Sequence, residues 1–451
     1  MTRPGATGRP PSAWTWRESG AWLGYQWLFG AAFLAGAGAV PWLVRRSVRV
    51  ATGFRAYLGG LPRPPAGPLV WVHGVSLGES LVAFALMERI RQEATGWRIG
   101  FTTTHPDVMT LVQRKRLAEV MGYAPLDAAC FVWRALRRWR PRLVVISETD
   151  LWPGLVGVAR ALHVPVVLVN GRISQKHEAF WRRVPGLAAA LWSGFRCLGV
   201  QSETDRARLL TMGAPAAAIK VLGNIKVDLV PACSPEGLAA ARQWRGERPL
   251  IVLGSLHPSE FDGLLPVIER LVRQAGCRVL VAPRAVTNAP AWAGRLQARG
   301  LAVGRRSAAD GWAPAHQVVL LDTVGELAAL YALATVAFVG GTLDPAVGGH
   351  NPLEVIAHRV PLVVGPHVRN FDDLIAELRE AGGIAVAAEA AAVGTAIAEL
   401  MADRAAAARQ VSQAQAVIAR HRGALDRTMA LLRPFLGLPT AEQAGGQLES
   451  V

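Results

Sequence analysis

The 451-residue chain is poor in cysteine, with only four. Cys130, Cys197, Cys233 and Cys277 are scattered and form no CxxC pair, so neither a disulfide framework nor a thiolate metal site is expected, and a reducing compartment is the default. No Rossmann GxGxxG and no Walker A sequence stands at a strand–helix junction. The one GxG run, Gly36 to Gly38, lies inside an apolar stretch where it says nothing about phosphates. Zinc-finger spacing and aromatic–basic RNA signatures are missing, which makes nucleic acid an unexpected partner. His73, His257 and His350 lie near loops but at no spacing that makes a metal triad, so no metal and no other cofactor is expected. Acid is also scarce. Against 49 Lys and Arg, overwhelmingly arginine, stand 33 Asp and Glu, a net charge of +16. Such a surface suits anionic lipid headgroups or phosphorylated substrates. A mean hydropathy of +0.25 is high for a soluble enzyme and too low for a multi-span membrane protein.

Residues 1–20 are rich in Pro, Gly, Arg and Ser and read as disordered. Ala21 to Val44 carries no charge over 24 residues, long enough to span a hydrocarbon core of roughly 30 Å. Trp22, Tyr25 and Trp27 stand at one end and Trp42 at the other, and Arg45, Arg46, Arg49 and Arg55 follow at once. This pattern predicts a membrane anchor over 21–44 with the main body on the cytoplasmic face of the inner membrane. Two other readings stay open: a cleaved signal peptide, and an interfacial or buried helix that never spans, because Gly30, Gly36, Gly38 and Pro41 weaken the helix.

Beyond a Gly–Pro linker, short apolar runs alternate with helical stretches. Strands are predicted at Leu69–Val72, Ile99–Thr104, Leu143–Ile146, Val164–Val169 and Cys197–Val200. After a hinge at Leu222–Leu229 and a linker with a short helix, they resume at Leu250–Leu253, Val279–Val281, Val318–Leu321, Val336–Val339 and Leu362–Val364. This alternation is the signature of parallel βαβ units. The expected fold is therefore α/β, two doubly wound Rossmann-like domains facing a cleft, the architecture called GT-B. The first domain is expected over 45–229 and the second over 230–435, with a C-terminal helix crossing back and a tail at 436–451. Candidate residues cluster just after strands, at the carboxyl edge where open α/β sheets hold ligands. In Phe338 to Glu354, glycines at 340, 341, 348 and 349 let a backbone approach a ligand. The helix start at Asn351-Pro352-Leu353-Glu354 favours an anion, and its carboxylate can accept ribose hydroxyls.

Several strings resemble, in chain order, those of the 3-deoxy-D-manno-octulosonic acid (Kdo) transferases. They are WVHGVSLGES (71–80), ETDLWP (148–153), NGRIS (170–174), QSETDRARLLTMGA (201–214), GNIKVD (223–228), GELAALY (325–331), FVGGTL with GGHNPLE, and GPHVRNF (365–371). The resemblance covers roughly residues 20 to 435. It implies a metal-independent, inverting glycosyltransferase that moves Kdo from CMP-Kdo to a lipid A precursor (lipid IVA). Glu79 takes the place of the general base. Glu148, with Asp150 beside it, and Lys226 match positions that support the transition state. Pro283-Arg284, Gly325-Glu326-Leu327 and Asn351 to Glu354 match CMP-binding segments. Three departures stand out. Ala285-Val286-Thr287-Asn288 follows Pro283-Arg284 where the family has a His-Pro-Glu-Arg type run, Leu256 replaces a hydroxyl residue, and Val355 replaces a proline. Arg284 must then carry more of the donor-phosphate contact.

The residues themselves leave alternatives. Glu79 in its glycine turn, ahead of a helix predicted over Leu81–Gln92, serves either as a base or as a helix-start acid that complements the dipole. Glu148 either orients the acceptor or pairs with a cation such as Arg172. Lys226 and Arg284 are candidates to stabilise charge on the leaving nucleotide, against the ordinary reading of a surface lysine. Glu326 either contacts the nucleotide or serves only the helix turn at Leu327. The expected partners are CMP-Kdo, a lipid A precursor and anionic inner-membrane lipid. The alternative functions are a related GT-B enzyme with another nucleotide-sugar or lipid acceptor, and a non-catalytic binding protein on the same fold.

Overall fold

The computed structural model describes residues 14–36, 38, 42, 45–46, 48–74, 77–148, 152–229, 238–369 and 371–439. The chain divides into two compact units, one made of Met1–Leu229 with His421–Val451 and the other of Val230–Arg420.

The first unit holds a seven-stranded parallel sheet: β1 (Leu69–His73), β2 (Arg98–Thr103), β3 (Val120–Tyr123), β4 (Leu143–Ser147), β5 (Val166–Gly171), β6 (Cys197–Val200) and β7 (Ile219–Val221). Their spatial order is β3-β2-β1-β4-β5-β6-β7. Helices cover both faces. Trp71, Val144, Ile146 and Leu168 pack to one side, and Val70, Val72, Val145 and Val167 to the other. That two-sided burial is why the inner strands read as unbroken apolar runs. The order reverses between β1 and β4, which places a topological switch point at their carboxyl ends. Of the helices that matter here, α1 (Trp16–Gly36), α2 (Leu77–Glu93), α3 (Ala129–Trp139), α4 (Pro153–Ala161) and α5 (Pro185–Gly194) belong to this unit.

The second unit repeats the plan with β8 (Leu250–Leu256), β9 (Arg278–Pro283), β10 (Val303–Arg305), β11 (Val318–Leu320), β12 (Val336–Val339), β13 (Leu362–Val364) and β14 (Ala385–Val386). The order is β10-β11-β9-β8-β12-β13-β14, with the switch point between β8 and β12. Helix α6 (Pro258–Arg273) follows β8, and the short α7 (Leu353–Ala357) precedes β13.

The last helix, α8 (Ala424–Leu436), belongs to the first unit. Its Met429, Leu432 and Leu436 complete the core beneath Val70 and Val72. Asp228 accepts from the backbone N–H of Gly423 and Leu425, each at 2.8 Å, and fixes the start of that helix. Trp97 Nε1 donates to Leu436 O at 2.9 Å near its end.

The N-terminal segment forms a helix packed on the first unit. Among the described residues no helix is long and apolar enough to cross a membrane, so the spanning anchor expected over 21–44 is not found there; parts of 37–44 lie outside the described residues. Helix α1 instead docks on the first unit. Trp22 Nε1 donates to Pro153 O at 2.8 Å, Tyr25 Oη to Asp127 Oδ2 at 2.9 Å, and Gln26 Oε1 accepts from Ala129 N at 2.7 Å. Gly157 of α4 lies so close to the Trp22 indole that an added Cβ would sit 2.2 Å from Nε1. The opposite side of α1 exposes Trp16, Leu23, Trp27, Leu28 and Leu34. Of the stretch 1–20 read as disordered, the part from Trp16 is the start of α1, and residues 1–13, like the end of the predicted tail, 440–451, lie outside the described residues.

Candidate active site

In the first unit the carboxyl edge of the sheet carries a connected polar cluster. Glu148 directly follows β4 and Asn170 is the penultimate residue of β5, and both adopt left-handed backbone conformations, φ 62° and 52°. Such conformations cost a non-glycine residue about 1–3 kcal/mol and persist only where the surroundings impose them. Here the surroundings are a chain of hydrogen bonds. Asn170 Nδ2 donates to Glu148 Oε1 at 3.2 Å, Asn170 Oδ1 accepts from Ile225 N at 2.8 Å, and Asn170 O accepts from Gln201 Nε2 at 3.0 Å. Lys226 Nζ lies 2.7 Å from Glu148 Oε1. Glu148 is 6% exposed, so its charge is compensated by a lysine and an amide rather than by water. Lys226 is thus not a free surface lysine but meets Glu148. The backbone between Asn224 and Lys226 is held in turn, with Lys226 N donating to Asn224 Oδ1 at 3.0 Å.

Glu79 lies across the switch point, following β1. It falls in the first turn of α2, which starts at Leu77, rather than in the glycine turn ahead of a helix at Leu81. Asp150 and residues 75–76 lie outside the described residues. His73, the last residue of β1, is buried with Nδ1 2.9 Å from Thr102 Oγ1. Burial pushes its imidazole down to about 4, partly offset by its bond to Thr102. At neutral pH it is an uncharged member of this edge.

The second unit places its sequence-identified residues at the other switch point. Pro283 ends β9, and the exposed Arg284 follows, its backbone N–H donating to Leu256 O at 2.8 Å. Asn351 Oδ1 caps the N–H of Leu353 at 3.1 Å, and its Nδ2 donates to Glu354 Oε1 at 3.3 Å. Pro352 is the residue just before α7. That helix has only five residues, so its dipole adds little and recognition of an anion falls to side chains. Burial raises the Glu354 carboxyl, while the Asn351 amide and the Arg284 guanidinium pull it back. His350 Nε2 lies 2.8 Å from His257 Nε2, and burial first, then Arg284 and His257, lower His350 to about 4. Tyr331 is buried beneath them. Burial and then the charge of Glu354 raise its phenol. A Cβ at Gly254 would fall 1.8 Å from its Oη, so β8 needs glycine there.

Gly325, Glu326 and Leu327 lead into the short helix that ends just before Tyr331. Gly325 has φ 95°, and Glu326 forms a two-pronged pair with Arg306, Nε to Oε2 at 2.9 Å and Nη2 to Oε1 at 3.1 Å. Leu327 begins the four-residue helix that follows.

Sequence reasoning missed Glu260. It is 2% exposed, and its carboxylate accepts from three backbone N–H groups: Gly341 at 2.7 Å, Leu343 at 3.0 Å and His257 at 3.0 Å. It ties the start of α6 to the glycine loop after β12. The only signal for it was an acid three residues after His257, a capping-box spacing.

Two doubly wound units of this kind, with polar clusters at their switch points, define the GT-B architecture. Solved structures agree on the fold. A Staphylococcus aureus MnaA–UDP structure superposes with a TM-score of 0.57 at 13% identity, covering 83% of this chain and 99% of that one. A Neisseria meningitidis UDP-GlcNAc 2-epimerase gives 0.57 at 11% identity, covering 81% and 99%. A family model described as 3-deoxy-D-manno-octulosonic-acid transferase (kdotransferase) matches residues 52–229. The 3-deoxy-D-manno-octulosonic acid transferase of Bordetella pertussis is 34% identical over 443 residues, covering 94% of this chain and 96% of its own. That of Chlamydia pneumoniae is 30% identical over 386 residues, covering 83% and 87%. The chain belongs to the 3-deoxy-D-manno-octulosonic acid transferase family.

Proposed function

We propose that this glycosyltransferase moves Kdo from CMP-Kdo to a lipid A precursor, lipid IVA, with inversion and without a metal. The observation that carries the donor half is Arg284 beside the Asn351–Glu354 pair at the switch point of the second unit. A guanidinium there meets the CMP phosphate, and a half-buried carboxylate accepts ribose hydroxyls. The acceptor hydroxyl attacks the ketose carbon of Kdo, the bond from that carbon to the phosphate oxygen breaks, and CMP leaves. Glu79, following β1 in the first unit, takes the hydroxyl proton as the new bond forms. Glu148, with its charge held by Lys226 and Asn170, is the group proposed to orient the acceptor. Glu326 is committed to Arg306 and has a supporting role in this scheme.

The exposed apolar side of α1, with Trp16 at 79% and Trp27 at 72%, is proposed to lie in the bilayer interface that supplies the acceptor. Purified enzyme, CMP-Kdo and lipid IVA should give a product heavier by one or more Kdo units. Glu79→Ala should lower kcat about 10²–10⁴-fold while CMP still binds; full activity in that variant removes Glu79 as the base. Ala285-Val286-Thr287-Asn288 after Arg284 favours a second reading, another nucleotide-sugar donor. A panel of CMP- and UDP-sugars separates the two.

A further inference from the structure

At the opposite edge of the first sheet lies a cleft of about 700 Å³ that the transfer chemistry does not use. One wall is the segment leading into β1, with Arg63 and the Pro64-Pro65 pair. The other is the end of α3, with Trp133, Arg134, Arg137, Arg138 and, just beyond it, Arg140. It therefore opens at the amino ends of β1 and β4, whereas Glu148 stands at their carboxyl ends.

The walls are fixed. Trp139 Nε1 donates to Pro62 O at 2.9 Å, and Arg138 Nε donates to Leu61 O, which pins the proline segment to the helix. Trp133 is 50% exposed, with the Arg137 guanidinium 5.3 Å from its ring centroid. None of the five arginines forms an ion pair with a described residue. The negative end of the α3 dipole, about half a charge, cannot balance five cations, and Arg63 is not on that helix. Guanidinium forks are matched to phosphate oxygens, where two parallel N–H···O bonds form per group.

We infer that this cleft is a binding site for a phosphate-bearing anion, separate from the donor and acceptor groups of the transfer reaction. The phosphate comes either from an acidic lipid headgroup or from a soluble phosphorylated molecule. The test uses the full-length protein in detergent, saturated with CMP so that the second unit's nucleotide groups are occupied. Inorganic pyrophosphate is titrated calorimetrically, and binding to phosphatidylcholine vesicles with and without one-fifth phosphatidylglycerol is measured by cosedimentation. The variant is R134Q/R137Q. The charge-matched control is R114Q/K115Q, on the exposed end of the helix Pro106–Lys115. All four side chains are exposed, so folding is expected to be intact, and a thermal melt checks it. The control should bind like wild type, and R134Q/R137Q should bind at least tenfold more weakly. Loss of phosphatidylglycerol-vesicle binding assigns the phosphate to a headgroup. Loss of pyrophosphate binding with vesicle binding unchanged assigns it to a soluble molecule. If R134Q/R137Q binds both probes as tightly as the control, the inference is wrong.

Discussion

Replacing Lys226 by methionine isolates the worth of the ion pair in the first unit. The change keeps the unbranched apolar stem and removes the ammonium that sits 2.7 Å from Glu148 Oε1. The carboxylate is 6% exposed, so little water can reach it once the lysine is gone. Removing one partner of a buried pair costs about 3–5 kcal/mol, because the other charge is left buried. The lower end applies here: Asn170 Nδ2 still donates to the same oxygen, and the lysine side chain was 21% exposed. A loss of about 3 kcal/mol lowers the melting point of a unit this size by about 6–12 °C. Calorimetry suits the measurement, since two units need not melt as one. Adding Glu148→Gln should recover about 1–2 kcal/mol, because the orphaned charge is then gone as well. If K226M melts within about 2 °C of wild type, or the double variant loses the sum of the two single effects, the pair does not stabilise the unit and its geometry has been misread.

Three more perturbations probe other elements. Glu260→Gln puts an amide where one of three backbone N–H groups needs an acceptor, so the second unit should lose about 1–3 kcal/mol in a denaturant titration, with weaker CMP binding as the glycine loop loosens. Gly254→Ala drives a methyl into Tyr331 and should cost about 1–3 kcal/mol; Tyr331→Phe in the same background should return part of it, read from the same melts. Burial outweighs the Gly154, Leu155 and Tyr25 hydrogen bonds and raises Asp127 to about 7. Between its unfolded value of about 4 and about 7, the folded protein therefore holds a proton that the unfolded chain has released. Stability conferred on the first unit should fall as pH rises through that window. Asp127→Asn should flatten this part of the melting-point profile.

The interior strands were legible because both sheet faces are covered, which writes them as continuous apolar runs. Cys197–Val200, Val336–Val339 and Leu362–Val364 coincide with predicted strands to the residue. The four strands that reasoning passed over, β3, β7, β10 and β14, are all at sheet edges. They have two to four residues and half-exposed patterns, so no periodicity marks them. The site was legible as strings at strand ends, but not as contacts. That Glu148 meets Lys226, or that Glu260 reaches Gly341 and Leu343, depends on segments far apart in the chain that only the sheet order brings together. The docking of the N-terminal helix was illegible for a related reason. Its composition fits a bilayer, but its position is set by polar partners on another segment, Asp127 above all, and no window within the helix reports them.

The contribution of α8 to the first unit makes the order of synthesis matter. That unit's core under Val70 and Val72 is closed by Met429, Leu432 and Leu436, which leave the ribosome after roughly 190 residues of the second unit. At about 5–20 residues per second, the growing chain carries an incomplete first core for roughly 10–40 s. The second unit is one unbroken stretch and can mature in that time. The nascent protein thus finishes its middle before its beginning, and a chaperone or the bilayer would have to shelter the unfinished apolar seam until α8 arrives.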